Sequence, residues 1–263
     1  MIFYFFLALF GFCWGSFIGM FSWRWPRGLG ISGRSFCDVC RRPLLWYQNI
    51  PLLSAVYFRG RCVQCGKGFE GLRYFAIEAS MGVAFVLTGY LWQKDSSGLV
   101  RLFRDSWGDF SLVLMLSIVL VFVGLFVVDL EKKLLPDVLS LIAGALIFLL
   151  TFFLPSPLFF NHLAAGLFCF IFFLSIFLIT NARGMGFGDV KMAFFMGLLL
   201  GSPLLFVWLI LSFVSGGTVG VILLFLRRAT LGQEVPFGPF LLVSAYIVLF
   251  FGEDILSWYI NLL

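Results

Sequence analysis

The sequence predicts an all-α polytopic membrane protein with about eight transmembrane helices and a small cysteine-rich, zinc-binding cytoplasmic domain. Hydrophobic residues make up 62% of the chain and charged residues only 12%, and the mean hydropathy of +1.06 excludes an ordinary soluble globule. The apolar residues form repeated runs of about 18 residues or more, the length that crosses a bilayer as a helix. The one long polar segment carries two Cys-x-x-Cys pairs.

Eight apolar runs are candidate spans. They lie at 1–23, 75–93, 110–130, 136–155, 158–181, 189–203, 204–226 and 238–260. The first run has no basic residue before it and is followed directly by Arg24 and Arg27, so we expect a retained anchor with its N-terminus outside, not a signal peptide. The chain is accordingly divided into a first transmembrane helix at 1–23, a cytoplasmic zinc-binding loop domain at 24–74 and a transmembrane domain at 75–263.

Lysine and arginine collect on one face of this arrangement. The connections 24–73, 131–135, 183–191 and 227–228 hold 15 of the 18 basic residues, and the other three lie in the segment 94–109. Because cytoplasmic loops are enriched in these residues, the four connections are predicted to face the cytoplasm. The net charge of +5 then reflects orientation and contact with anionic membrane lipid, and we expect no nucleic-acid partner.

The first cytoplasmic loop contains four cysteines in two pairs. Cys37 and Cys40 form the first pair, Cys62 and Cys65 form the second, and 21 residues separate the pairs. Two such turns can present four thiolates to one tetrahedral zinc ion, which leaves no open position for catalysis and makes the Zn²⁺ structural. Disulfides or thiols without a metal are the alternatives, although disulfides rarely persist in a reducing compartment. A bound ion would stabilise a loop that is too short for a large apolar core.

Two acidic residues are predicted to share a depth in the membrane. Asp129 ends the third span, in VVDLEKKLLPD, and Asp189 begins the sixth, in GMGFGDVK. Ionisable groups in a span are costly and are functional candidates by default. Two neighbouring carboxylates share a proton, so that one can activate a water and the other can protonate a leaving group, as in aspartic proteases. Taken singly, Asp189 can also be a helix cap and Asp129 the partner of a nearby lysine.

These segments resemble the type IV prepilin peptidases, which are membrane aspartic proteases with a GxGD motif. The resemblance is carried, in family order, by GSFIGMFSWRWPRG, SFCDVC, NIPLLSAVYFRGRCVQCGKGF, RYFAIEA, VVDLEKKLLPD and GMGFGDVKM. It implies that 75–263 is a GxGD aspartic peptidase domain with Asp129 and Asp189 as the catalytic pair. It also implies an enzyme of the bacterial inner membrane, with its active site at the cytoplasmic face. This enzyme would cut type IV prepilins or type II secretion pseudopilins after a glycine.

Further roles are expected around the aspartates. The glycines before Asp189, among them Gly184, Gly186 and Gly188, allow an extended segment against which a peptide substrate can lie. Lys191 falls where the family has a basic residue, and we expect it to be an electrostatic partner either of the aspartates or of lipid phosphate. Asp137 follows Pro136 and is expected to begin the fourth helix, where the positive end of the helix dipole stabilises its negative charge.

The family has a second activity, N-methylation of the newly exposed residue with S-adenosylmethionine, and the resemblance extends this expectation to the present chain. Glu78 matches an acidic family position and either bears on methyl transfer or pairs with Arg73. Gly19, where the family usually has Asn, and Asp38, where it usually has Pro, depart from the family pattern in the part of the chain linked with this activity.

Two other functions use the same residues differently. An ion-coupled transporter would bind cations at intramembrane carboxylates beside a broken helix, but it leaves the cysteine loop unexplained. An inactive relative would serve as an assembly factor for pili or secretion systems. His162, the only histidine, is expected at a membrane interface. EVPFGPF at 234–240 is expected to be a structured entry into the last span, where its Pro and Gly residues can face the active site, and it has no assigned role.

Overall fold

The structure is a computed structural model, and it describes residues 1–30, 33–37, 39–53, 57–58, 61–67, 71–181, 185–226 and 236–262. Within these residues the chain forms nine α-helices and two short 3₁₀ helices, the latter at Trp25–Arg27 and Trp46–Asn49. The α-helices are α1 (Ile2–Arg24), α2 (Gly71–Gln93), α3 (Gly98–Trp107), α4 (Phe110–Lys132), α5 (Asp137–Phe152), α6 (Ser156–Ile179), α7 (Phe187–Leu200), α8 (Leu204–Phe225) and α9 (Gly238–Ile260).

Each of the eight predicted spans corresponds to one of these helices, but the helices are not equally long. In the described ranges, six helices have the length and composition to cross a membrane, namely α1, α2, α4, α6, α8 and α9. Helix α5 has 16 residues and α7 has 14. At a rise of about 1.5 Å per residue, α7 is about 21 Å long, shorter than the roughly 30 Å hydrocarbon layer. The protein is therefore an all-α, multi-pass membrane protein as predicted, while a count of eight full spans is not confirmed.

The chain divides into two compact units, Met1–Tyr90 and Leu91–Leu263. The first unit contains α1, the cysteine loop and most of α2. Its two helices approach closely at glycines, since a Cβ on Gly11 would lie 2.8 Å from the Gly82 Cα and one on Gly15 would lie 2.6 Å from the Glu78 Cα. Small residues at such crossings are typical of helix packing in membranes, where close backbone approach replaces the hydrophobic driving force.

In the second unit the short helix α7 is the most enclosed element. It contacts α5, α6 and α9, and nine of its 14 residues are buried. A Cβ on Gly197 would lie 2.6 Å from the Ala165 carbonyl oxygen of α6, so this contact requires glycine. His162 of α6 is only 4% exposed, and its Nδ1 lies 2.9 Å from the Leu198 carbonyl oxygen. The histidine is thus buried within the protein and links α6 to α7.

Helix α9 is held in place by hydrogen bonds to its backbone from two neighbouring elements. The Trp208 indole N–H of α8 donates to the Leu241 carbonyl oxygen at 2.9 Å, and the Ser97 hydroxyl donates to the Leu249 carbonyl oxygen at 2.9 Å. Each of these side chains is buried. These contacts determine where the N-terminus of α9, at Gly238, lies.

Candidate functional site

Asp129 lies in the last turn of α4, and its side chain is 5% exposed. The helix ends just beyond it, because Lys133 adopts a left-handed conformation (φ 54°) and donates its N–H to the Asp129 carbonyl oxygen at 2.8 Å. The carboxylate faces the N-terminus of α9, where it interacts with the backbone N–H of Gly238. Its Oδ2 atom is buried and has no hydrogen-bond partner among the described residues. A buried acceptor without a partner is rare in a folded protein and indicates a site that takes up a water or a substrate group.

Asp189 is the third residue of α7 and is 7% exposed. Its carboxylate accepts the Gly186 N–H at 3.2 Å, while its own N–H donates to the Gly186 carbonyl oxygen at 3.1 Å. The capping role considered from the sequence is therefore present. It does not isolate the side chain, because Asp189 and Asp129 are close enough for their charges to influence each other. Two aspartates that are 60 residues apart in the sequence thus meet at the end of α4 and the start of α7.

Two glycines border the carboxylate pair because a side chain would not fit. A Cβ on Gly238 would overlap the Asp129 Oδ2 and would lie 3.2 Å from its Cγ. A Cβ on Gly188 would lie 3.0 Å from the Leu135 Cβ, and Leu135 also lies beside Gly238. The connection between α4 and α5 therefore packs onto both glycines, next to the two aspartates.

The other predicted residues of this motif behave differently. Gly186 has φ −78° and ψ 153°, and nothing lies closer to its Cβ position than 3.9 Å, so neither conformation nor space requires glycine there. Lys191 forms an ion pair with Asp137 at 2.8 Å, and Asp137 begins α5 as predicted. The ammonium group of Lys191 thus ties α7 to α5. Gly184 lies outside the described residues.

The four cysteine sulfurs of the first unit form one cluster. All four lie within 4.8 Å of one another, with 3.8 Å between the sulfurs of Cys37 and Cys65 and 4.0 Å between those of Cys40 and Cys62. A tetrahedral ion with Zn–S bonds of about 2.3 Å requires S···S distances of about 3.8 Å. The thiols are free, so the alternative of paired disulfides is not what the structure contains. The cluster fits a zinc ion.

The two halves of the cluster have the same backbone design. In each pair the backbone N–H of the first cysteine donates to the carbonyl oxygen of the residue five positions later. The acceptor is Arg42 for Cys37 and Lys67 for Cys62, and both distances are 2.9 Å. The carbonyl oxygen of the same cysteine accepts at 2.8 Å from the residue four positions on, Arg41 or Gly66, and both of these residues have positive φ. Each turn is therefore a local structure that points two sulfurs at a common centre.

The thiols of the cluster titrate unequally. Burial acts to raise the pKa of Cys37, but backbone hydrogen bonds from Cys40 and Val39 and the neighbouring thiols outweigh it and lower the pKa to about 7. A backbone hydrogen bond from Lys67 acts to lower the pKa of Cys65, but burial and the other thiols raise it to about 11. Near neutral pH a large fraction of Cys37 is therefore already a thiolate.

Glu78, also in the first unit, is 2% exposed, and it accepts the Leu52 N–H at 2.7 Å. The Arg73 guanidinium, its expected partner, donates to the Gly19 carbonyl oxygen and to the Ser22 hydroxyl. The departure at Gly19 has a steric reason here, because a Cβ would lie 2.7 Å from the Tyr74 ring.

Two residues of the aspartate site carried no clear sequence signal. Gly238 lies 109 positions after Asp129, in a segment expected to enter the last span with its Pro and Gly residues able to face the active site. Its sole signal is the Pro-Phe-Gly-Pro pattern, which marks an irregular backbone before a helix. Leu135 is one of many leucines and nothing in its local sequence distinguishes it.

Comparison with known proteins links both units to one group of enzymes. The family model described as the bacterial peptidase A24 N-terminal domain matches residues 9–92, and that of the type IV leader peptidase family matches residues 115–221. Three similar proteins are each named prepilin leader peptidase/N-methyltransferase. That of Aeromonas hydrophila is 32% identical over 232 residues, which cover 87% of this chain and 75% of the relative.

The other two are almost as similar. The protein of Legionella pneumophila is 31% identical over 238 residues, covering 87% of this chain and 76% of its own. The protein of Pseudomonas aeruginosa is 30% identical over 238 residues, which cover 86% of this chain and 74% of that relative. No solved structure matches the chain.

Proposed function

We propose that this chain, which belongs to the type IV leader peptidase family, is an aspartic endopeptidase of the bacterial inner membrane. It removes the basic leader of type IV prepilins or type II secretion pseudopilins after a glycine, and it N-methylates the new N-terminus. The observation that carries the proposal is the pair of buried carboxylates, Asp129 and Asp189, whose charges interact although they come from different helices. The names of the relatives, which combine both activities, support it.

The two aspartates act as one acid–base unit. A water molecule held between them attacks the carbonyl carbon of the glycine before the scissile bond, while the ionised carboxylate takes its proton. The protonated partner gives its proton to the carbonyl oxygen. When the tetrahedral intermediate collapses, the C–N bond breaks and the leaving amine takes up a proton from the pair. The products are the leader, with a C-terminal glycine, and the mature protein with a free amine, and no covalent bond to the enzyme forms.

The surroundings of the pair suit this chemistry. The Gly238 N–H interacts with the Asp129 carboxylate and so orients it, and the unpartnered Oδ2 is the free acceptor that a water needs. Gly186 and Gly188 form the backbone against which the substrate lies. The end of α4 and the start of α7 adjoin connections rich in basic residues, so the pair lies at the cytoplasmic face. A prepilin places its scissile bond there, where its basic leader meets its apolar helix.

The domain organisation follows from these assignments. An anchor helix at 1–23 is followed by the zinc-binding loop domain at 24–74 and by the peptidase domain at 75–263. Zn²⁺ held by Cys37, Cys40, Cys62 and Cys65 stabilises the loop domain, as their spacing supports. S-adenosylmethionine, when bound, supplies the methyl group for the second reaction. Contact with anionic lipid is expected along the basic face. A nucleic-acid partner is not expected.

The alternative of an ion-coupled transporter is not supported. Both family models describe peptidase domains, and the similar proteins are named as enzymes. The cysteine cluster also has no role in that alternative.

The test of the protease is cleavage of a prepilin with a Gly-Phe junction by the purified protein in detergent. Asp129→Asn and Asp189→Asn each remove one titrating carboxylate at nearly constant volume, so each should lower the cleavage rate by about 10²–10⁴-fold. Asp137→Asn is the matched control, because Asp137 is an exposed aspartate near the same connection whose partner is Lys191. It should cleave at the wild-type rate.

The outcomes separate the alternatives. Loss of cleavage in both variants, with unchanged thermal unfolding, would support the pair. Equal cleavage by all four proteins would exclude the two aspartates as the catalytic groups, and absence of cleavage by the wild type would favour an inactive assembly factor.

A further inference from the structure

A partly open cavity lies in the first unit, between α1, the cysteine loop and α2. Its volume is about 90 Å³. Three aromatic side chains line it, Trp23, Phe36 and Tyr74, together with the polar side chains Ser16, Arg24, Ser35, Gln48, Asn49 and Glu78. Neither aspartate of the peptidase site is among the residues that line this cavity, and both belong to the other compact unit.

Glu78 gives the cavity a buried carboxylate. It accepts the Leu52 N–H at 2.7 Å and a hydrogen bond from the Ser16 side chain, and both donors are neutral. A carboxylate has about four acceptor positions, so these two bonds leave it able to accept more. Buried charges in proteins are normally paired, and the two described donors to Glu78 carry no charge. The group is therefore suited to receive a cationic one.

Gln48 gives the cavity a buried hydrogen-bond donor, in contrast to the acceptor of Glu78. Its residue is 2% exposed, and its Oε1 atom accepts the Leu45 N–H at 3.1 Å. The Nε2 amide is buried and has no hydrogen-bond partner among the residues that the structure describes. An unsatisfied buried donor is costly, so it favours a ligand that brings an acceptor.

We propose that this cavity binds the α-amino acid end of S-adenosylmethionine, an inference that rests on the methyl-transfer half of the proposed function. The α-ammonium group of that end suits the Glu78 carboxylate, and its α-carboxylate suits the orphaned Gln48 amide. A cavity of 90 Å³ has the volume of about three water molecules, which is enough for this head group and not for the whole molecule.

The zinc site is coupled to this cavity through the loop that both share. Phe36, which lines the cavity, directly precedes the ligand Cys37, and Gln48 lies between the two cysteine pairs. Because the ion stabilises the loop, it also holds this wall of the cavity in place. Removal of zinc should therefore weaken the binding of S-adenosylmethionine.

The experiment measures the binding of S-adenosylmethionine to the full-length protein in detergent by isothermal titration calorimetry. Glu78→Gln keeps an acceptor for the Leu52 N–H but removes the charge, and it should weaken binding at least tenfold. Glu253→Gln is the matched control, because Glu253 likewise accepts a backbone N–H at 2.7 Å, from Gly98, but belongs to the second unit. It should bind like the wild type.

A second variant keeps the test decisive if Glu78→Gln fails to fold. Gln48→Glu retains the acceptor for Leu45 but replaces the orphaned donor with a carboxylate that repels the ligand carboxylate, so it should also weaken binding at least tenfold. Zinc content and thermal unfolding identify folded variants.

If both folded variants bind S-adenosylmethionine as tightly as the wild type does, the cavity is not the binding site. The proposed methyl-transfer activity would be unaffected by that result. If the wild type cleaves prepilin but neither binds S-adenosylmethionine nor methylates, that half of the proposed function fails and this inference fails with it.

Discussion

The cysteine cluster and the carboxylate pair are two candidate sites of this chain, and they are built in different ways. The cluster arises from two short turns of the same design, each with its cysteines three positions apart. The carboxylate pair arises from residues 60 positions apart at the ends of two helices, and a third helix contributes Gly238. Local backbone geometry is thus enough to present the sulfurs, whereas the carboxylates depend on how α4, α7 and α9 pack.

This difference predicts different sensitivities. The loop is too small for much apolar core and depends on its ion. The carboxylate site depends on contacts as close as those of Gly188 and Gly238, so a single added methyl group should be harmful there.

The largest effect is expected from Cys62→Ser, which removes one of four zinc ligands. Structural zinc sites contribute roughly 10–16 kcal/mol of apparent binding free energy, so the loop should lose its metal and its fold. Metal analysis should find one zinc ion per wild-type chain and almost none in the variant, and limited proteolysis should cut the loop. Cys13→Ser, at an exposed cysteine of the same unit, should keep the metal. Stoichiometric zinc in Cys62→Ser would refute the four-cysteine site.

Gly238→Ala should be the most harmful small change in the second unit. Its Cβ would overlap the Asp129 carboxylate, and a displacement of about 1 Å at a catalytic group can lower a rate by about 10²-fold. The loss should fall on kcat, with KM little changed, because the peptide contacts remain. Gly220→Ala is the control, since nothing lies within 4 Å of its Cβ position. Equal rates for both variants would show that Gly238 does not position Asp129.

The pH dependence of zinc binding should follow Cys37, whose pKa is lowered to about 7. Above this pH the metal-free protein already has a thiolate there, while below it the ion must displace one more proton. From about pH 8 to about pH 6, the number of protons released per zinc should therefore rise, and the affinity should fall roughly tenfold per pH unit for each displaced proton. Calorimetry in buffers of different ionisation enthalpy measures this number. A constant value would contradict the preformed thiolate.

The smallest effect is expected from Lys191→Ala. Its ion pair with Asp137 is solvent-exposed, with side chains 36% and 72% exposed, and such pairs contribute about 0–1 kcal/mol. Thermal unfolding should change little, and cleavage should stay within about threefold of the wild type. A much larger loss of cleavage without loss of stability would instead support a direct electrostatic role toward the aspartates.

Much of the site could be predicted from the sequence because its signals are local or chemical. Cys37, Cys40, Cys62 and Cys65 have the spacing of zinc ligands, and the structure brings their sulfurs together. Asp129 and Asp189 stood out because carboxylates are rare beside apolar spans. The assignment of these two aspartates to catalysis remains a prediction until the variants are measured.

What the sequence alone determined was the membrane class, the approximate positions of eight helices and the four-cysteine spacing, because apolar runs and short spacings act within one segment of chain. Only the tertiary structure decided that Gly238 borders Asp129, that Lys191 pairs with Asp137 and that Glu78 and Gln48 line one cavity. The physical reason is that these helices are apolar on nearly every face, so periodicity does not specify which face meets which neighbour. Close contacts between glycines and side chains that are far apart in the sequence determine which helix faces pack together.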